Sequence, residues 1–379
     1  MAWFVDLHGG PEHFSAGGLI LRVIFHLAMA DYCLAIYLVL DLVYSAVLHD
    51  EGRSPRIADP IFHHTLAKNY DGYDNWGDTR FKVYTNSLGF RDGSVRDVPA
   101  SSSMRRVLIV GDSFAEGLGV NFEDSFAGML YATGMERADK IEFLNTGVIS
   151  YSPVLYYRKV KFLIETGLHF DEVVVFSDET DVRDEATGYF CEDENPSYRK
   201  YCGERVPYYS QRDDLGSTLA RHFVMTDRLR IIVKHRIQGL SGNQKRNKIA
   251  PSSETAWLFP DWNSGDDYAP LGIAGGMERS LVNMQLLADL LKKNDIPISI
   301  VVYPWPALLA AYDPDNRQVT MWRDFCARNC KKFINLFPAF KAEKEAHADW
   351  YERLFIFGDF HFSADGNRVM FRELAKQLL

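Results

Sequence analysis

From Val23 to Leu48 the chain runs for 26 residues without a lysine or arginine, and its apolar positions are not confined to one face. A helix of that length exceeds the ~20 residues that cover a bilayer core, so the segment reads as a membrane span. The apolar run is too long, Arg22 is the only lysine or arginine before it, and no small-residue cleavage site follows, which argues against an ordinary secretory signal. Asp31 and Asp41 interrupt the run. At 100° per residue they lie roughly 80° apart with Ser45 between them, a polar stripe suited to facing another membrane protein. Residues 49–104 carry Pro55, Pro60 and Pro99, several Asp and Gly, and the run Ser101–Ser103, and read as an irregular connector.

From Arg105 onward short apolar runs alternate with helical periodicity. Strands are expected at 106–110, 141–144, 172–176, 297–303 and 333–337, and helices at 123–134, from Pro153 to near Gly167, at 278–293, 322–332 and 363–379. Alternating strands and helices predict a parallel sheet covered on both faces, a three-layer, flavodoxin-like α/β domain. Residues 183–275 break this rhythm and read as an insertion or cap over the sheet. The domain plan is therefore an anchor over 1–50, a connector over 51–104, and an α/β domain over 105–379 with an insertion at about 183–275.

Apolar residues make up 47% of the 379 and charged residues 25%, so most of the chain can fold around a core. With 42 Lys and Arg against 51 Asp and Glu, the net charge of −9 excludes a global attraction to nucleic acid. Outside the span the cysteines fall into two local pairs, Cys191 with Cys202 and Cys326 with Cys330, which fit two disulfides in an oxidising compartment. Neither pair has the flanking histidines of a metal site, and His63 and His64 read as structural. The basic positions Arg228, Lys234, Arg236, Lys245, Arg246 and Lys248 suit lipid headgroups or an anionic glycan, and equally a solvated face. No glycine-rich phosphate loop is present, and no cofactor or metal is implied.

Ligands of parallel sheets bind beyond the carboxyl ends of the strands. The first strand runs directly into Gly111-Asp112-Ser113-Phe114, which places a serine hydroxyl on a strand-to-helix turn. Near the C-terminus Gly358-Asp359-Phe360-His361-Phe362 precedes the last helix, at the same end of the sheet. His361 is then the candidate base for Ser113, with Asp359 orienting it. The second strand ends in Asn145-Thr146-Gly147, where a glycine lets a backbone amide approach closely, so the amides of Ser113 and Gly147 are candidate oxyanion donors. Trp305, after the fourth strand, suits a sugar platform or an acyl-pocket wall as well as plain packing.

These blocks resemble the SGNH, or GDSL-like, hydrolase superfamily over about residues 105–379 apart from the insertion. Thr85-Asn86-Ser87-Leu88-Gly89-Phe90-Arg91 is similar to a segment that precedes the domain in membrane-linked members. The chain departs from the family pattern after the third strand. Where an asparagine usually completes the oxyanion hole stands Ser177-Asp178-Glu179-Thr180. Thr180 could donate through its hydroxyl, or Asp178 if protonated. The acid also precedes the histidine by two residues where three is commoner. The resemblance implies a membrane-anchored serine esterase or O-acyltransferase that adds or removes acyl, commonly acetyl, groups on an extracytoplasmic, periplasmic or cell-surface carbohydrate. A membrane-bound O-acyltransferase would then be a natural partner for the Asp-bearing span. The alternatives are a catalytically weak scaffold that binds glycan or supports an assembly, and a lipase-like hydrolase.

Overall fold

The structure, a computed structural model, describes residues 16–47, 54–76, 79–189 and 268–379, together with 192, 222–226, 229, 230 and 233. Two compact units are present: Met1–Gly52 with Arg212–Gly242, and Arg53–Gln211 with Asn243–Leu379.

In the larger unit, side-chain alternation divides the core between the two faces of one sheet. Leu108, Val110, Val173, Val175, Ile300 and Val302 pack on one face against helices Pro153–Glu165, Gly272–Lys293 and Arg317–Asn329. Val107, Ile109, Val174, Phe176 and Val301 pack on the other, against helices Phe126–Glu136 and Ala364–Leu378. Both faces are covered, which is why these strands read as unbroken apolar runs.

The parallel strands are β6 (Arg105–Val110), β7 (Ile141–Asn145), β8 (Glu172–Ser177), β9 (Ile298–Val302) and β10 (Lys332–Asn335), in the order β10-β9-β8-β6-β7. This is the flavodoxin-like order, and its switch point lies between β6 and β8, where a crevice opens beyond the strand ends.

The connector is not irregular. It carries β1 (Arg56–Asp59), β2 (His63–Leu66), β3 (Asp71–Trp76), β4 (Thr79–Thr85) and β5 (Arg91–Asp92). The last three extend the main sheet antiparallel beyond β7. Their sequence concealed them because β3, Asp-Gly-Tyr-Asp-Asn-Trp, is built mostly of residues depleted in strands. The larger unit thus begins at Arg53 and includes the connector. The expected insertion at 183–275 lies largely outside the described residues, and so do Cys191 and Cys202; Cys326 and Cys330 form a disulfide.

His63 and His64 are structural, as expected. His64 is buried, with Nε2 at 2.7 Å from the Ile149 carbonyl, and burial pushes its pKa down to about 3. The folded protein therefore keeps this ring neutral where the unfolded chain protonates it at about 6.5. The stability this confers is fully present above pH 6.5 and is lost as pH falls towards 3, by about 3–5 kcal/mol. The Asp184 carboxyl, which burial raises to about 8, gains stability over the same window, so the His64 contribution is read by difference: between pH 7.5 and pH 4 the parent should lose about 3–5 kcal/mol relative to His64→Gln in denaturant melts. Lys159, which burial lowers to about 8, titrates above this window.

In the smaller unit α1 (Ala16–Val47) is long and apolar enough over Arg22–Ala46 to cross a membrane. Asp31 is exposed, whereas Asp41 is fully buried. Asp41 accepts hydrogen bonds from the amides of Met225 and Thr226, both at 2.8 Å, and from the Thr226 hydroxyl at 2.6 Å. Ser45, one turn on, accepts from the Val224 amide at 3.1 Å. The stripe expected to face a separate protein is thus divided: Asp41 and Ser45 are engaged by this chain's own residues 224–226.

Candidate active site

The nucleophile turn is held on three sides. Strand β6 ends at Val110, and Asp112 caps the short helix Ser113–Glu116 by accepting the Phe114 amide at 3.0 Å. Ser113 is the first helical residue, so its amide has no partner within the helix and points towards the crevice at the switch point. From β7, the Asn145 amide donates to the Ala115 carbonyl at 2.7 Å. Gly147 stands so close that a Cβ there would lie 2.5 Å from the Glu116 nitrogen, and only glycine fits. At the far end of the turn Arg91, from the 85–91 segment, donates to the carbonyls of Glu116 (3.0 Å), Gly117 (2.6 Å) and Val120 (2.6 Å). The buried Glu116 carboxylate accepts the Ile149 amide at 2.8 Å and pairs with Arg56.

The C-terminal loop delivers the base. Gly358 has φ of 79°, a left-handed turn that suits glycine, and the Tyr351 hydroxyl donates to the Asp359 carbonyl at 2.8 Å. His361 Nε2 then lies 2.8 Å from Ser113 Oγ, and His361 Nδ1 lies 2.5 Å from Asp359 Oδ1. With the proton on Nδ1 donated to Asp359, Nε2 is free to accept the Ser113 hydroxyl. Ser113 is 6% exposed and His361 2%, which shields the array from water. The rings of Phe114 and Phe360 lie at 4.8 and 4.3 Å from the imidazole and fix its plane.

One residue escaped the sequence reading. Trp76, at the end of β3, donates its indole N–H to Asp359 Oδ2 at 2.8 Å and packs edge-on against His361 at 5.2 Å. Burial alone would raise the Asp359 pKa, but the hydrogen bonds from His361 and Trp76 and the attraction of His361 outweigh it and hold the carboxyl below 3.8. A hydrogen bond to a charged group contributes ~1.5–3 kcal/mol. Trp76→Phe should therefore lower kcat about 10-fold. Losing the indole N–H also leaves a more basic carboxylate against the imidazole, so the acid limb of the pH profile should move to higher pH, a shift that simple loss of packing would not produce.

The expected oxyanion donors do not all point into the site. Gly147 donates its amide to Asn145 Oδ1 at 3.0 Å. Thr180 turns its amide (2.8 Å) and hydroxyl (2.5 Å) onto Asp178 Oδ1, and Trp305 donates its indole N–H to Asp178 Oδ2 at 2.7 Å. Both Asp178 oxygens are engaged as acceptors, and the Thr180 hydroxyl is spent on one of them. Whichever way it is turned, an asparagine would set its own N–H against either the Thr180 amide or the Trp305 indole, whereas a carboxylate accepts from both. Trp305 is 2% exposed and stacked on Phe360 at 4.1 Å, so it is a packed support for Asp178 and not an open sugar platform. Burial pushes the Asp112 and Asp178 carboxyls up together. Three donors on Asp178, against one amide and a long 3.4 Å contact from the Tyr303 hydroxyl on Asp112, make Asp112 the member that holds a proton. Among the described residues no group of three or more His, Cys, Asp or Glu is arranged to hold a metal ion.

No protein-family model matches this chain, and no curated protein does. Solved structures do. It is similar to the acetyl xylan esterase AlAXEase at 13% identity, covering 72% of this chain and 100% of that one, with a TM-score of 0.41. It is similar to a mutant of an acetyl-xylooligosaccharide esterase from Geobacillus Stearmophilus at 11% identity, covering 74% and 96%, with a TM-score of 0.38. It is also similar to the psychrotrophic esterase EstA from Pseudoalteromonas sp. at 10% identity, covering 72% and 96%, with a TM-score of 0.38. The functional reading rests on the geometry of Ser113, His361 and Asp359.

Proposed function

We propose that this chain is a serine esterase of the SGNH-like type, anchored by α1, that transfers acyl groups through Ser113. The observation that carries the reading is the 2.8 Å contact between Ser113 and His361 together with the 2.5 Å contact between His361 and Asp359. His361 Nε2 takes the Ser113 proton as Oγ attacks the acyl carbonyl carbon, and Asp359 stabilises the imidazolium. His361 then returns the proton to the leaving alkoxide, which leaves an acyl-serine. Water or a sugar hydroxyl, deprotonated by the same imidazole, attacks the acyl-serine, and His361 returns the proton to Ser113 Oγ as the acyl group leaves it.

The oxyanion forms beside the Ser113 amide. The Gly147 amide joins it once its bond to Asn145 loosens, as catalytic donors commonly realign on substrate binding. Until then the hole is incomplete, which slows attack by water and by a sugar hydroxyl alike. The finer reading is acyl chemistry, of acetyl by preference, on an extracytoplasmic carbohydrate, by hydrolysis or by transfer to a sugar hydroxyl. The exposed Asp31 on α1 is the contact offered to a membrane-bound O-acyltransferase. The second reading, a weakly active scaffold that binds glycan, draws its support from the occupied Gly147 amide. A fluorophosphonate probe distinguishes the two: the esterase is labelled at the peptide containing Ser113, whereas absence of labelling on the folded protein would remove the catalytic reading.

A further inference from the structure

Asp41 and Ser45 lie one helical turn apart and accept three consecutive amides, those of Val224, Met225 and Thr226. In water the first amides of a helical segment are solvated without help, whereas in hydrocarbon each unsatisfied one costs several kcal/mol. A carboxylate from an apolar span is therefore well matched to a helical start that lies out of bulk water. Depth agrees with this. Asp41 precedes Ala46, the last residue of the apolar stretch, by five residues, or roughly 7.5 Å at 1.5 Å per residue. Interfacial helices lie ~5–10 Å into the boundary between headgroups and acyl chains.

The segment so held carries large apolar side chains at every fourth position. Met225, Leu229 and Val233 are helical and 42%, 53% and 45% exposed, while Val224 is buried. In the sequence Arg228, Arg230, Lys234 and Arg236 fall among them. Apolar residues at helical spacing interleaved with basic ones suit a surface with acyl chains below and anionic headgroups above.

We propose that the segment bearing Met225, Leu229 and Val233 is an interfacial membrane element. It is pinned to the end of α1 by Asp41 and Ser45 and seated in an anionic phospholipid leaflet. The chain then meets the bilayer twice, with one helix across it and one segment along it. This rests on the reading of α1 as a membrane span.

The test uses the full chain with Cys33, Cys191 and Cys202 replaced, reconstituted in vesicles of phosphatidylcholine and phosphatidylglycerol. Bimane is attached at Leu229→Cys and, separately, at Leu40→Cys, whose native side chain is 60% exposed on α1. The expected result is that both labels are quenched by doxyl lipid and shielded from aqueous iodide. Asp41→Asn should raise iodide access at position 229 several-fold while leaving position 40 unchanged. Lipid quenching at 40 with iodide quenching alone at 229 would overturn the interfacial element and leave the span intact. Shielding of 229 from both quenchers would also overturn it, by showing that protein covers the segment. Absence of lipid quenching at 40 would remove the span reading and this proposal with it.

Discussion

Ser113→Ala should reduce kcat/KM for a simple acetyl ester by ~10³-fold or more, because the residues of a nucleophile-base unit act together. The substitution removes one buried oxygen and no packing atom, so the fold should be retained and the loss should fall on the chemical step. His361→Ala should cost a comparable factor, and the double variant should be little worse than either single one, since each alone removes the attack. Additive losses would mean that the 2.8 Å contact between the two side chains is structural. Stopped assays on p-nitrophenyl acetate, with circular dichroism to confirm folding, measure both quantities.

Arg91→Ala should produce the largest stability loss, about 3–5 kcal/mol. Its guanidinium, 1% exposed, satisfies the carbonyls of Glu116, Gly117 and Val120 and reaches that of Lys82 at 3.3 Å. Burial lowers its pKa to about 10, so it is still charged at neutral pH. Truncation removes the donor that Arg91 brings to these buried carbonyls and frees the end of the nucleophile turn. The melting temperature should therefore fall markedly, and kcat should fall further than KM changes, because Ser113 is no longer held against His361. Arg91→Lys should recover part of the stability. Thermal unfolding of the three proteins, with kinetics measured well below the lowest transition, checks both effects.

The parallel core was legible because strands buried on both faces are written as apolar runs, and because residues that follow strands β6 and β7 stand at one end of the sheet. Ser113 follows β6, and Asp359 and His361 stand on the loop before the last helix, which the alternation of strands and helices puts at the same end of the sheet, so the three could be paired. What the chain hides is side-chain direction. Thr180 and Asp178 follow the third parallel strand as the resemblance implies, yet their hydrogen-bonding groups are turned onto each other. The indole of Trp305, which composition would offer to a ligand, is consumed by Asp178. Trp76 could not be found from spacing, since it reaches the site across 283 residues from a strand of weak propensity. A better signal was present in Thr85–Arg91, where the arginine proves to be the clamp on the nucleophile turn.

The antiparallel extension β3–β5 also decides where the larger unit of this protein can be cut out. A polypeptide started at residue 105 would strip the neighbour from β7, leaving a raw strand border open to self-association, and would discard both Arg91 and Trp76. One started at residue 53 retains every side chain that braces the catalytic array. In mild detergent, which covers Met225, Leu229 and Val233 once α1 is gone, only the longer version should stay dispersed and accept the phosphonate label, a difference that size-exclusion profiles and in-gel fluorescence would display side by side.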